Sequence, residues 1–143
     1  MSQKDAEGDA RLNTALEEAA RLAAILESVG EGVQSIGLDG CISYGNAASA
    51  RMLGYAPGEL IGRPAHATIH HTRADGLLYP VEECPILLTL RDGRTRRVTG
   101  EVFWRRDGTS LPVDYTISAM RDANGAIVGT TVAFTDVSER ETA

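Results

Sequence analysis

The stretch DGCISYGNAASARMLGYAPGELIG, from Asp39 to Gly62, constrains this chain more than any other, because the hydrophobic period changes within it and it carries its own stop signals. Asp39-Gly40 is a tight-turn dipeptide between Val33 to Leu38 and Cys41 to Tyr44, two short runs that read as strands, so a β-hairpin is expected. Asn46 stands where a helix N-cap belongs, with a side-chain oxygen able to accept from a backbone N–H in the first turn. Ala47, Ala48 and Ala50 supply helix propensity and Gly54 supplies a stop, which predicts one short helix. Tyr55 to Gly62 reads as a second, shorter turn of helix, started at Pro57 and closed at Gly62.

Downstream the pattern alternates. Arg94 to Arg105, Thr109 to Met120 and Ala126 to Thr135 read as strands separated by the hairpin signals Asp107-Gly108 and Asn124-Gly125. Leu111, Val113, Tyr115 and Ile117 fall on one face of the middle run, and Pro112, Asp114, Thr116 and Ser118 on the other, so one face is buried and one polar. Together with the first hairpin this predicts an α+β fold: a five-stranded antiparallel sheet with short helices inserted between strands two and three. Prolines 64, 80 and 85 forbid a long helix in that insertion. Short helical turns are expected from Pro64 to His70, a loop through Asp75-Gly76, and a helix from about Val81 through Pro85 to Arg91.

Upstream, residues 1 to 9 are polar and expected to fray. Leu12, Ala15, Ala19, Leu22, Leu26 and Val29 then alternate in steps of three and four, the seam of an amphipathic helix that pairs with a copy of itself. On the far face of the sheet Val102 and Trp104 form an apolar strip, for which this helix is the expected cover. A net charge of −6 argues against sequence-independent nucleic-acid binding, which rests on basic phosphate contacts. No apolar run is long enough to span a membrane, and the first ten residues lack a signal-peptide core, so a cytoplasmic location without membrane contact is expected. Cys41 and Cys84 are accordingly read as free thiols.

The order D-G turn, strand ending in Asn, short helix, L-G-Y, E-L-I-G resembles the PAS sensory domain family, as found in bacterial sensor histidine kinases. It is carried here by Asp39, Gly40, Ile42, Tyr44, Asn46, Ala47, Ala48, Leu53, Gly54, Tyr55, Glu59, Leu60, Ile61 and Gly62. Asp107-Gly108, Gly125, Gly129 and the closing Asp136-Val137-Ser138-Glu139-Arg140 also fall where that family has them. The resemblance implies three parts: an N-terminal helix over residues 1–29, a PAS domain over 30–137, and the start of an outgoing signalling helix over 138–143. It further implies a ligand cavity between sheet and helices, placed on Met52, Leu53, His70, Cys84, Leu87, Phe103, Val113, Tyr115, Ile117, Val132 and Phe134. Asp136 and Glu139 have the form of a capping box at the signal junction, with Arg140 four residues on from Asp136 and positioned to pair with it.

His66, His70, His71, Asp75, Glu82, Glu83 and Cys84 crowd into the irregular segment. His70 and His71 are adjacent and diverge on any regular backbone, so no metal is expected. Some PAS relatives hold haem through one histidine of this region, which makes His70 or His71 a candidate axial ligand, although the expected cofactor is none. Cys84 lacks an orienting group or oxyanion hole of recognisable form, and catalysis by this chain is not expected. The N-C-R-F-L-Q helix of light-sensing relatives is also absent. The expected function is a dimeric sensory module that passes a signal to an output domain such as a histidine kinase. The alternatives are a ligand-free dimerisation module, a haem-based gas or redox sensor, and a metal-dependent enzyme.

Overall fold

The structure is a computed structural model and describes residues 2–142. A long helix α1 (Gln3–Ser28) precedes strands β1 (Gly32–Gly37) and β2 (Ile42–Gly45). Helices α2 (Ala47–Leu53) and α3 (Ala65–Ile69), a 3-10 turn (Val81–Glu83) and helix α4 (Pro85–Asp92) follow. Strands β3 (Arg96–Trp104), β4 (Ser110–Arg121) and β5 (Ile127–Asp136) lead into α5 (Ser138–Thr142). The five strands form one antiparallel sheet in the order β2-β1-β5-β4-β3, so the first and last strands of the chain lie side by side at its middle. This is the α+β architecture read from the sequence, with the helical insertion on the apolar face.

Phe103, Leu111, Val113, Ile117, Val132 and Phe134 are fully buried on that face, closed from above by Leu53, Ile69 and Ile86. Gly54 ends α2 in the left-handed conformation (φ 78°), and its N–H closes on the carbonyls of Ala50 and Arg51. Gly129 is fixed by a different need: a Cβ there would stand 2.5 Å from the Ile36 carbonyl oxygen, so β1 and β5 pair closely only because this position has no side chain.

Several local expectations are corrected. Residues 57–62 form consecutive turns rather than helix, because Gly58 and Gly62 both take positive φ (81° and 88°), which breaks any helical run. The expected helix from Val81 to Arg91 is two elements, since Cys84, the residue before Pro85, is held extended (φ −67°, ψ 117°) and α4 starts with the proline at its first position. Residues 3–9 are helical rather than frayed: Ser2 and Asp5 form a reciprocal capping box that begins α1. Met1, part of the stretch expected to fray, and Ala143, part of the outgoing segment, lie outside the described residues.

Helix α1 buries none of its residues, with Leu12, Leu22 and Ile25 each more than half exposed, and Val29 is its C-cap rather than a helical seam position. It therefore does not cover the strip at Val102 and Trp104. The loop after α3 does so instead: the His71 ring stacks on Trp104 at 5.8 Å, and the Trp104 indole N–H donates to the Thr72 carbonyl at 2.7 Å. The segment between α3 and the 3-10 turn lies beside that edge, whereas α1 leads into β1, which β5 and β4 separate from β3.

Asn46 anchors α1. Its Oδ1 accepts from the N–H of Ser49, capping α2, and from the N–H of Val33, both at 2.9 Å. Its Nδ2 donates to the carbonyls of Leu26 at 2.8 Å and Glu31 at 3.0 Å. One fully buried amide thus holds the end of α1, the start of β1 and the start of α2 together. The Glu27 carboxylate adds acceptance from the Tyr44 hydroxyl and the Ala47 N–H.

Candidate functional site

The eleven side chains expected to line a cavity do converge: eight belong to the buried apolar cluster, Met52 and Leu87 pack against it, and His70 is buried beside it. Phe103 meets Tyr115 at 4.9 Å and Phe134 at 5.2 Å between ring centroids, so these rings fill the concave side of the sheet with one another. At one edge of this apolar mass lies a polar cluster built from three separate elements.

Helix α3 carries the half-buried His66 and ends at His70, whose ring is fully buried. Their four-residue spacing, H-A-T-I-H, sets both rings on one side of the helix, with centroids 5.6 Å apart. The segment after α3 doubles back through an isolated bridge between Thr72 and Leu78, which returns Tyr79 onto His70 at 4.2 Å between centroids. Cys84, immobilised before Pro85, points its Sγ at His70 Nδ1, 3.3 Å away. The third element is β3, where the pairing with β4 passes from Val98 opposite Tyr115 to Glu101 opposite Val113. Three steps on β3 match two on β4: a bulge at Thr99 and Gly100, with Gly100 at φ 76°, which turns Glu101 to the inner face.

Glu101 is the hub. Its Oε1 accepts from the Tyr115 hydroxyl at 2.5 Å and faces His70 Nε2 at 2.8 Å, while Oε2 accepts from the Tyr79 hydroxyl at 2.8 Å. Burial by itself raises the Glu101 carboxyl pKa, but the bonds from His70, Tyr115 and Tyr79 outweigh it and the net shift is downward. Burial likewise pushes His70 down, and its bonds to Cys84 and Glu101 reverse that to a net rise. Burial, with the Glu101 carboxylate adding to it, drives both phenols upward, Tyr115 beyond the range in which it ionises in water. His66 is lowered by burial, partly offset by its bond to the Tyr79 carbonyl.

Neither histidine fits a haem iron. Both ring nitrogens of His70 are engaged, and its ring is packed among Tyr79, Phe103 and Tyr115 with centroids at 4.2 to 5.9 Å, which leaves no room for a macrocycle. His71 lies stacked on Trp104, with Nδ1 against the Thr72 hydroxyl at 2.6 Å, away from the apolar core. Tyr79 and Glu101 were missed in the sequence reading. Glu101 could have been found by stepping back two residues along the strand from the inward-facing Phe103. Tyr79 depended on a loop whose return carries no short-range pattern.

The signal junction differs from its expectation in two respects. Asp136 accepts from the N–H and hydroxyl of Ser138, a turn two residues long, rather than capping a helix that it begins. Arg140 reaches back to the sheet, where its guanidinium binds both oxygens of Asp114 on β4, at 2.9 and 3.1 Å, a partner the sequence reading does not name. The helix starts at Ser138, which sends the Arg140 side chain across β4.

The family profile described as PAS fold matches residues 20–137. The chain belongs to the PAS family. This PAS domain is 29% identical over 133 residues to a probable diguanylate cyclase, DgcE, of Escherichia coli strain K12, covering 90% of the chain and 11% of that protein. It is 28% identical over 117 residues to the signal transduction histidine-protein kinase AtoS of the same organism, covering 82% of the chain and 18% of the relative. The PAS domain thus spans under a fifth of either relative. In structure it resembles the PAS domain of an HTR-like protein from Haloarcula marismortui, with a TM-score of 0.66 at 19% identity, covering 90% of this chain and 99% of that one. At that identity the likeness speaks to the fold alone. No described helix is long and apolar enough to cross a membrane.

Proposed function

We propose that this PAS domain is a cytoplasmic sensory or regulatory module, itself non-catalytic, that dimerises through α1 and passes its state through α5 to an output domain such as a histidine kinase or diguanylate cyclase. The bidentate pair between Arg140 on α5 and Asp114 on β4 carries the reading. It ties the outgoing helix to the strand that also presents Tyr115 to the buried polar cluster, so a change at Tyr115 has a short covalent and hydrogen-bonded route to the exit. The relatives support the same reading, being signalling enzymes of which only a segment matches.

The test joins the chain in frame to the catalytic core of a histidine kinase and follows autophosphorylation. Asp114→Asn and Asp136→Ala are expected to change the rate while the circular dichroism of the domain stays as in wild type. Wild-type phosphorylation in both variants refutes the coupling. Dimerisation is tested by sedimentation of a chain lacking residues 1–28, because the seam residues Leu12 and Leu22, flanked by Leu16 and Ile25, stand exposed on α1. A dimer of undiminished affinity excludes α1 as the contact.

A second reading, a dimerisation module without a small ligand, draws on the ring-on-ring packing of Phe103, Tyr115 and Phe134 where a ligand would sit. Native mass spectrometry separates the two readings, since a retained small molecule supports sensing and its absence supports the second.

A further inference from the structure

We propose that His66, His70 and Cys84 form a binding site for one divalent metal ion of the zinc class. The site stands apart from the signalling role. It rests on three observations.

The first is convergence. One ligand atom from each residue lies within 4.8 Å of the other two; His70 and Cys84 are fully buried, and His66 is half-buried with its Nδ1 shielded from water. With bonds of about 2.0–2.1 Å to nitrogen and about 2.3 Å to sulfur, three ligands around zinc sit roughly 3.5 Å apart, so side-chain rotations of about 1 Å close the site.

The second is the tautomer. Glu101 is an acceptor, so in the neutral ring of His70 it takes the Nε2 proton at 2.8 Å, and the Nδ1 lone pair faces Cys84. The Tyr79 carbonyl does the same for His66 Nε2, also at 2.8 Å. Each ring therefore donates outward to a carboxylate or a backbone carbonyl and presents Nδ1 inward, the outer-shell arrangement that orients metal-bound histidines and raises their basicity.

The third is an orphan. His66 Nδ1 is a buried atom with no hydrogen-bond partner, which is costly in a folded protein and which a metal would relieve.

Two imidazoles and a thiolate suit zinc in three positions and leave a fourth for water or an exogenous ligand. Binding takes the Cys84 S–H to the thiolate and releases one proton to solvent per ion bound.

The experiment titrates the reduced, metal-free full chain with Co²⁺ as a spectroscopic probe. A near-ultraviolet thiolate-to-cobalt charge-transfer band is expected to saturate at one equivalent and to be bleached by Zn²⁺. Cys84→Ser abolishes the band, His66→Gln weakens Co²⁺ affinity at least about tenfold, and Cys41→Ser, which removes the other free thiol, leaves it intact. His66 lies at the rim of the core, so His66→Gln still decides the matter if Cys84→Ser fails to fold. The site is refuted by absence of a band in the wild type, by wild-type affinity in folded Cys84→Ser or in His66→Gln, or by a band that depends on Cys41.

Discussion

Replacing Asn46 by alanine removes more from this domain than its size suggests. The amide is fully buried and makes four hydrogen bonds, two as acceptor and two as donor. Each net bond contributes about 1 kcal/mol, and a buried group left unpaired costs about 1–3 kcal/mol. The Val33 N–H bonded to Asn46 is buried, whereas the Leu26 and Glu31 carbonyls lie nearer water and lose less. Loss of the α2 N-cap through Ser49 falls within the usual 0.5–2 kcal/mol for such caps, giving about 3–5 kcal/mol in all. Against a typical domain stability of about 5–15 kcal/mol this is a large fraction. At about 3 °C per kcal/mol for a chain of this size, the melting temperature should fall by roughly 10–15 °C. The assay is urea unfolding followed by fluorescence of Trp104, the single tryptophan, whose indole is packed on His71. Asn46→Asp keeps both acceptor roles but sets a carboxylate against two carbonyls, so it should loosen the end of α1 while α2 stays capped. Hydrogen exchange faster at residues 26–31 than at residues 49–52 would show this. A loss below about 1 kcal/mol for Asn46→Ala at an unchanged urea slope would refute the reasoning.

Three further outcomes follow from named contacts. The Asp114 carboxyl is held below its ordinary value by the hydrogen bond from Arg140, so the stability this pair contributes is complete above the unfolded pKa near 3.8 and disappears as pH falls through the lower folded value. Asp114→Asn should therefore lower the urea midpoint at pH 7 relative to wild type, and the two midpoints should converge in strong acid. Gly129→Ala drives a methyl into the Ile36 carbonyl and should cost about 1–3 kcal/mol by parting β1 from β5, measured by thermal unfolding. Glu101→Gln removes the charge that helps suppress ionisation of Tyr79 and Tyr115, so ultraviolet titration should show tyrosine ionising at lower pH than in wild type.

What the sequence determined by itself was local. Turn dipeptides, alternation along β4, the Asn46 cap and the Gly54 stop each depend on residues within a few positions of one another, and those set the strands, α2 and, through the PAS motif, the fold. Where local signals competed they were less decisive: Gly58 and Gly62 broke a helix that Pro57 was read as starting, and Pro85 split one that was expected to run through it. Tertiary structure decided the site. The H-A-T-I-H spacing stands in the sequence but was overlooked there, and the inward side of Glu101 could be read from Phe103 two residues on; nothing local shows that Cys84 faces the two histidines or that the loop to Tyr79 folds back over His70. It also decided that Arg140 reaches Asp114 on β4, 26 positions away in sequence. These contacts join residues 9 to 31 positions apart in sequence, whose approach is fixed by sheet pairing and burial, and no short-range pattern encodes either.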